Sequence, residues 1–183
     1  MRAFSIPYNN DRMLLYELFD RFPNAGETCR EIYFAAPGRL MGTGRVISQG
    51  SDYEQEIAEL VGEAGKFGVE SNLLLNSGCL GSKMADPEFI SEIVDYVYCL
   101  MQTVKPDLVT FSDYILAREA KKVIPELKIE CSSIAYVDSL EKARYWEELG
   151  CSILVIPPVM NKNMRFIKQL HEKLPGIHLK LVV

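Results

Sequence analysis

Short apolar runs alternate with longer amphipathic stretches along the whole chain. Asn72–Asn76 is typical of a buried strand, whereas Tyr53–Phe67 places Ile57, Leu60 and Val61 on one face of a helix. Six such helices are predicted between seven strands. The predicted strands are Ala3–Ile6, Glu31–Ala35, Asn72–Asn76, Asp107–Phe111, Lys128–Cys131, Ser152–Ile156 and His178–Val183.

This regular alternation predicts an α/β fold with a parallel sheet, because each strand is followed by a helix that can cross over to the next strand. Seven strands and six helices come close to a (β/α) TIM-type barrel, which needs eight of each. No linker or low-complexity segment divides the sequence. We therefore predict a single incomplete barrel domain over 1–183, and we expect either a continuation of the protein or a partner to close it.

Composition narrows the function classes. Twenty basic and 25 acidic residues give a net charge of −5 without any basic run, so no DNA-binding footprint is visible, although a local RNA-binding patch remains possible. No apolar run approaches the roughly 20 residues of a membrane span, and Met1–Pro7 does not resemble a signal peptide. Five cysteines without CxxC spacing favour reduced thiols in a cytoplasmic protein.

Ligands of parallel α/β folds bind beyond the carboxyl ends of the strands. The candidate substrate-binding residues at those ends are Asn76, Asp113, Ser132 and Ser133. Asp113 is the best acidic candidate, although capping of the next helix is the favoured interpretation. Asn76 could orient a substrate or satisfy neighbouring backbone equally well. The two serines have no base nearby in sequence that would activate them as nucleophiles, so the catalytic residues stay unknown.

The loop from Ala36 to Arg45 is the most distinctive local stretch. It contains Gly38, Gly42 and Gly44, and its Arg39 and Arg45 could clamp a carboxylate or phosphate. A solvated loop at the barrel rim is the alternative that we favour. No Gly-Lys-Ser/Thr follows the glycines, so the loop is not a Walker loop.

Neither the histidines nor the cysteines predict a metal site within the chain. His171 and His178 are predicted away from the carboxyl ends of the strands. The cysteines are expected on different elements and at both ends of the barrel, so structural thiols are the prediction. They are Cys29, Cys79, Cys99, Cys131 and Cys151.

Three stretches carry a resemblance to a known family. Lys-Pro-Asp-Leu-Val-Thr-Phe-Ser-Asp over 105–113 leads into the helix and strand of 115–133, and 138–156 adds the Tyr-Trp-Glu-Glu-Leu-Gly helix and its strand. This text resembles the collagenase-like peptidases of family U32 over roughly 31–183. Asn76, Asp113, Ser132 and Ser133 align with rim positions of the family pattern. The sequence departs from that pattern at Pro158–Met160 and at Ser5–Tyr8.

The resemblance implies one of three functions. Several relatives are oxygen-independent hydroxylation proteins that act on RNA or quinone precursors and hold a four-iron cluster through four cysteines after the seventh strand. The preferred hypothesis is accordingly the N-terminal part of such an iron–sulfur enzyme, inactive as an isolated chain and without a cofactor of its own. The alternatives are peptide hydrolysis, as the family label says, and a non-catalytic partner subunit. The implied substrate is a small molecule, an RNA or a peptide, and an open barrel edge could support a homo- or hetero-oligomer.

Overall fold

Seven parallel strands form one sheet in which every strand pairs with its neighbour in sequence. The computed structural model describes residues 4–21, 29–38, 40–44 and 49–182. The strands are β1 (Phe4–Pro7), β2 (Cys29–Ala35), β3 (Glu70–Leu75), β4 (Leu108–Phe111), β5 (Ile129–Cys131), β6 (Cys151–Ile156) and β7 (His178–Leu181). Consecutive order with parallel pairing is the topology of a (β/α) barrel.

Six α-helices within the described ranges cross over between these strands. They are α1 (Arg12–Arg21), α2 (Tyr53–Lys66), α3 (Pro87–Thr103), α4 (Tyr114–Val123), α5 (Leu140–Glu148) and α6 (Met164–Lys173). Local signals set their starts: the side chain of Asp86 accepts a hydrogen bond from Glu88 N before Pro87 at the first helical position, and Ser139 accepts one from Lys142 N. None of these helices is long and apolar enough to cross a bilayer.

The sheet curls into an incomplete barrel. The side chain of Lys180 on β7 reaches Glu31 on β2, with its Nζ 2.8 Å from both carboxylate oxygens. Among the described residues β1 and β7 each pair with a single strand, so the sheet has two edges where a closed barrel has none. The predicted incomplete α/β barrel is thereby confirmed.

The hydrophobic core lies between the sheet and the helices. Alternate strand residues such as Phe34, Leu73 and Phe111 are fully buried and pack with helix residues such as Ile57 and Val97. The positions between them point to the opposite face, which is the interior of the barrel. The core face is therefore largely apolar, and most of the polar strand residues face the interior of the barrel.

The predicted strands all form, with small shifts at their ends. β2 begins at Cys29, two residues before the predicted start, and β7 ends at Leu181. The predictions for Ala3, for the helix end at Pro23–Gly26 and for Val183 lie outside the described residues. The start of β2 was predicted two residues late because the polar Arg30, which follows Cys29, interrupts the apolar pattern of the strand.

Candidate functional site

The carboxyl ends of three neighbouring strands meet at what we call the mouth, defined by Asn76, Ser112 and Ser132. These residues follow β3, β4 and β5 directly. Strand pairing places Leu75 beside Phe111 and Phe111 beside Cys131, so the three polar residues come next to one another in register. The structure thus brings together two of the predicted rim residues, Asn76 and Ser132, and adds Ser112.

Hydrogen bonds fix the mouth residues in place. Asn76 Nδ2 donates to Ser132 Oγ over 3.2 Å, and Asn76 Oδ1 accepts from the backbone N–H of Gly44 at 3.0 Å. Ser112 Oγ donates to the carbonyl of Ser77 at 2.6 Å. Both Asn76 and Ser132 are buried, so these contacts hold the side chains in one orientation. The mouth is therefore a set of uncharged donors and acceptors.

Gly44, in the loop after β2, is in direct contact with the mouth. A Cβ at this position would lie 2.7 Å from Ile134 Cδ1 and 3.5 Å from Asn76 Nδ2. Glycine leaves room for the backbone N–H to reach Asn76 without displacing Ile134. The loop singled out in the sequence thus contributes a backbone contact. Its Arg39 and Arg45 lie outside the described residues, so the proposed anion clamp remains a prediction.

Asp113 caps a helix. Its Oδ1 accepts hydrogen bonds from the backbone N–H groups of Ile115 and Leu116, at 2.8 and 3.1 Å, at the start of α4. This is the interpretation favoured from the sequence, and it accounts for the side chain without a catalytic role. Ser133 begins a short 3₁₀ turn, Ser133–Ala135, and is half-buried. Asp113 and Ser133 were predicted at the site because each comes soon after the end of a strand in the sequence.

The barrel interior holds a charged network that the sequence analysis missed. Lys180 Nζ contacts both carboxylate oxygens of Glu31 and also bonds Glu130 Oε2. Glu31 and Glu130 are almost completely buried. Burying such ions costs several kcal/mol each unless they are paired, and TIM-barrel interiors are ordinarily filled by branched apolar side chains. The interior of this barrel therefore differs from the apolar interior of an ordinary TIM barrel.

The surroundings of Glu130 shift the pKa of its carboxyl upward. Burial raises the pKa of its carboxyl, and the nearby charge of Glu31 adds to this, against opposing contributions from Lys180 and Thr110. The Thr110 hydroxyl lies 3.1 Å from Glu130 Oε1 and 2.7 Å from Asn72 Oδ1. A hydroxyl has one proton, so Thr110 can donate to Glu130 or to Asn72, but not to both at once.

A signal for this network was present in the sequence. Strand side chains alternate between the two faces with a period of two, and Glu31, Asn72, Thr110, Glu130 and Lys180 all fall on the face opposite the apolar core residues. Charged residues inside predicted buried strands, with opposite signs on different strands, predict an interior ion pair. Asn72 Nδ2 is buried without a hydrogen-bond partner among the described residues, so the network retains one unused donor.

Cys131 and Cys151 are close to each other on the neighbouring strands β5 and β6, whereas Cys29, Cys79 and Cys99 lie elsewhere in the fold. Cys79 and Cys99 are exposed, whereas Cys29, Cys131 and Cys151 are buried. Burial raises the pKa of the Cys29 thiol to about 11 and that of Cys151 to about 12. Within the described residues, histidine, cysteine, aspartate and glutamate side chains do not form any group of three or more that could hold a metal ion.

An aromatic cleft opens beside the mouth. Its cavity of about 360 Å³ is lined by Ser112, by Ala135 and Val137, and by residues of α4 and α5. Those helical residues are Tyr114, Lys142, Tyr145 and Trp146. The Tyr114 ring meets the Trp146 ring edge to face, with centroids 5.8 Å apart, and the Tyr145 ring at 6.3 Å. This cluster was not predicted from the sequence.

Comparison with a model of the family described as Peptidase family U32 gives a match over residues 31–183. A curated relative, an uncharacterized protease MJ1657 of Methanocaldococcus jannaschii, is 29% identical over 153 residues. That alignment covers 84% of this chain and 44% of the relative. The chain thus spans less than half the length of this curated relative.

Solved structures share the fold. The U32 peptidase Mk0906 superposes over 100% of this chain and 68% of its own, with a TM-score of 0.75 and 20% identity. A maltogenic alpha-amylase from Thermotoga neapolitana matches 94% of this chain and 52% of its own, with a TM-score of 0.57 and 10% identity. At these identities the likeness concerns the barrel architecture and carries no residue roles.

Proposed function

Since the chain belongs to peptidase family U32, with the family model matching residues 31–183, we propose that the mouth of its barrel is the substrate-binding site of an enzyme. The observation that carries this proposal is the hydrogen-bonded set of Asn76, Ser132 and Gly44 at the ends of adjacent strands. Such preorganised uncharged groups suit a substrate with amide, carbonyl or hydroxyl groups. In this proposal, Asn76, Ser132 and Gly44 bind and orient that substrate.

The chemistry that we propose is oxygen-independent hydroxylation, in which a four-iron cluster supplies the redox step. The cysteines described above do not fit such a cluster, because three are buried in separate strands and the exposed Cys79 and Cys99 lie in a loop and in helix α3. Cluster ligands would therefore have to come from residues outside these 183. The contribution of this chain would be limited to holding the substrate at the mouth.

Peptide hydrolysis is the second candidate, and one observation favours it. The Glu130 carboxyl has a raised pKa and lies two residues before Ser132 of the mouth, a distance of about 6.6 Å along a strand. A carboxyl with a raised pKa is a candidate general acid or base. The relatives named protease and peptidase motivate the same test.

Iron analysis and a peptide assay separate the two candidates. The protein is expressed from its complete gene and purified without oxygen, and its iron and acid-labile sulfide are measured. Hydroxylation predicts both elements in stoichiometric amounts, and a protein without either overturns it. Hydrolysis predicts peptide release that Glu130→Gln abolishes, and chelator and thiol-reagent controls show whether a metal or a thiol takes part.

The binding role of the mouth is tested independently of the chemistry. Asn76→Ala removes both side-chain contacts, whereas Ser51→Ala, on the exposed start of the α2 segment, is a matched control. We expect Asn76→Ala to raise KM or Kd about tenfold, since a hydrogen bond in a buried site contributes about 1–1.5 kcal/mol. Equal affinity in the two variants would contradict the proposal.

A further inference from the structure

We propose that the aromatic cleft beside the mouth is a subsite for the aromatic side chain of a peptide substrate. This inference rests on the proposed binding role of the mouth and adds a substrate class to it. The two regions are continuous, because Ser112 belongs to the mouth and also lines the cleft. A substrate held at the mouth can therefore place a side chain between α4 and α5.

The cleft has the composition of a ring-binding site. Trp146 is 5% exposed and Tyr145 is 60% exposed, and Tyr114 meets Trp146 at an interplanar angle of 90°. Aromatic rings prefer edge-to-face or offset contacts at these separations, and such contacts add to the stabilisation from burial. The exposed Tyr145 ring is free to make one further contact of this kind.

Charge favours an uncharged ring over a nucleotide. Among the residues that the structure describes, Lys142 is the cation that lines the cleft, and its Nζ is 2.8 Å from Asp138 Oδ1 and 3.3 Å from the carbonyl oxygen of Tyr136. The whole chain carries a net charge of −5. A phosphate would therefore meet a compensated cation in an acidic protein. A peptide has neutral amide groups that match the mouth and a neutral ring that matches the cleft.

The backbone beside the cleft is consistent with this role. Tyr136 adopts the left-handed conformation, with φ of 54°, between the lining residues Ala135 and Val137. That conformation is unfavourable for a non-glycine residue. The same turn carries the partly exposed side chains of Tyr136 and Ile134, which flank the lining residue Ala135 in sequence. These side chains extend the apolar surface available to a bound peptide.

Fluorescence gives a direct test, because Trp146 is the only tryptophan of the chain. The full chain is titrated with N-acetyl-phenylalaninamide. The fluorescence of Trp146 is excited at a wavelength that tyrosine and phenylalanine do not absorb. We expect a saturable change in emission with this probe and none with N-acetyl-alaninamide. The same change with the alanine probe, or no change with the phenylalanine probe, would overturn the proposal.

Variants separate the cleft from the mouth. Tyr145→Ala is expected to weaken binding of the phenylalanine probe about two- to tenfold, whereas the control Tyr98→Ala, on the exposed face of α3, leaves it unchanged. Unchanged affinity in Tyr145→Ala overturns the cleft proposal alone, while unchanged affinity in Asn76→Ala overturns the binding role of the mouth alone. Saturable binding of adenosine monophosphate with no response to the phenylalanine probe would assign the cleft to nucleotides and also overturn the proposal.

Discussion

Lys180 on the last strand binds Glu31 on the second strand across the barrel interior, although 149 positions separate them in sequence. The same ammonium bonds Glu130 on β5. The three side chains therefore link β2, β5 and β7 through the space that the curled sheet encloses. Breaking this contact should affect the barrel as a whole.

We expect Lys180→Met to lower the free energy of unfolding by about 3–5 kcal/mol, because it leaves two buried carboxyl groups without their cation. Urea denaturation followed by circular dichroism measures the change. Lys168→Met is the matched control, since its ammonium is 3.7 Å from Glu172 on an exposed helix face, and its midpoint should not move.

A second variant shows whether unpaired charge is the cause. Adding Glu31→Gln and Glu130→Gln to Lys180→Met removes both buried acids, and we expect it to restore a large part of the lost stability. If Lys180→Met alone is as stable as the unmodified chain, the interior ion pairs do not contribute as described.

The raised pKa of Glu130 predicts how stability depends on pH. The folded state holds this proton more tightly than the unfolded state, whose carboxyl titrates near the ordinary value of 4.5. The stabilisation from the protonated carboxyl is complete below that value and is lost as pH rises through the higher folded pKa. Relative to Glu130→Gln, which cannot ionise, the unmodified chain should lose stability as pH rises above about 4.5.

Thermal or urea unfolding of both proteins across the acidic to neutral range measures this difference. Glu126→Gln, an exposed position in the loop before β5, serves as the control and should run parallel to the unmodified chain. A difference curve that rises with pH would mean that the folded state lowers the pKa of Glu130, contrary to its burial beside Glu31.

How well each feature could be predicted from the sequence depends on whether its signal is local. Strands and helices were predicted within a few residues because apolar periodicity and caps such as Asp86 and Ser139 are local. Asn76 and Ser132 were each predicted at a strand end, but the hydrogen bond between them was not predicted. The contacts of Lys180 with Glu31 and of Tyr114 with Trp146 join elements far apart in the chain, and only the curl of the sheet and the packing of α4 against α5 create them.

Thiol reactivity should divide the five cysteines into two groups. Burial is the main cause that raises the pKa of the Cys131 thiol well above the ordinary range, and the nearby Cys151 and Glu130 raise it further. Burial also raises the pKa of the Cys29 and Cys151 thiols. Thiolates are the reactive species, so these three should resist reagent in the folded chain. Cys79 and Cys99 are exposed and should react.

Titration with a chromogenic disulfide reagent should accordingly give two reactive thiols in the folded chain and five after denaturation. Replacing Cys79 and Cys99 by serine should reduce the folded value to none without lowering stability. More than two fast-reacting thiols in the folded, unmodified chain would show that a buried strand opens readily.

Asp113 provides a test that separates structure from catalysis at the strand ends. Its carboxylate accepts two backbone hydrogen bonds at the start of α4, so Asp113→Ala should cost about 0.5–2 kcal/mol of unfolding free energy. Asp113→Asn retains an acceptor in the same place and should keep nearly all of the stability, although it removes the charge. An enzyme assay completes the comparison: a cap predicts that Asp113→Asn keeps its kcat, whereas a catalytic carboxylate predicts a large loss of kcat with normal stability. The two hydrogen bonds account for both lone-pair contacts of Oδ1, and we therefore expect stability to depend on this side chain and turnover to be independent of its charge.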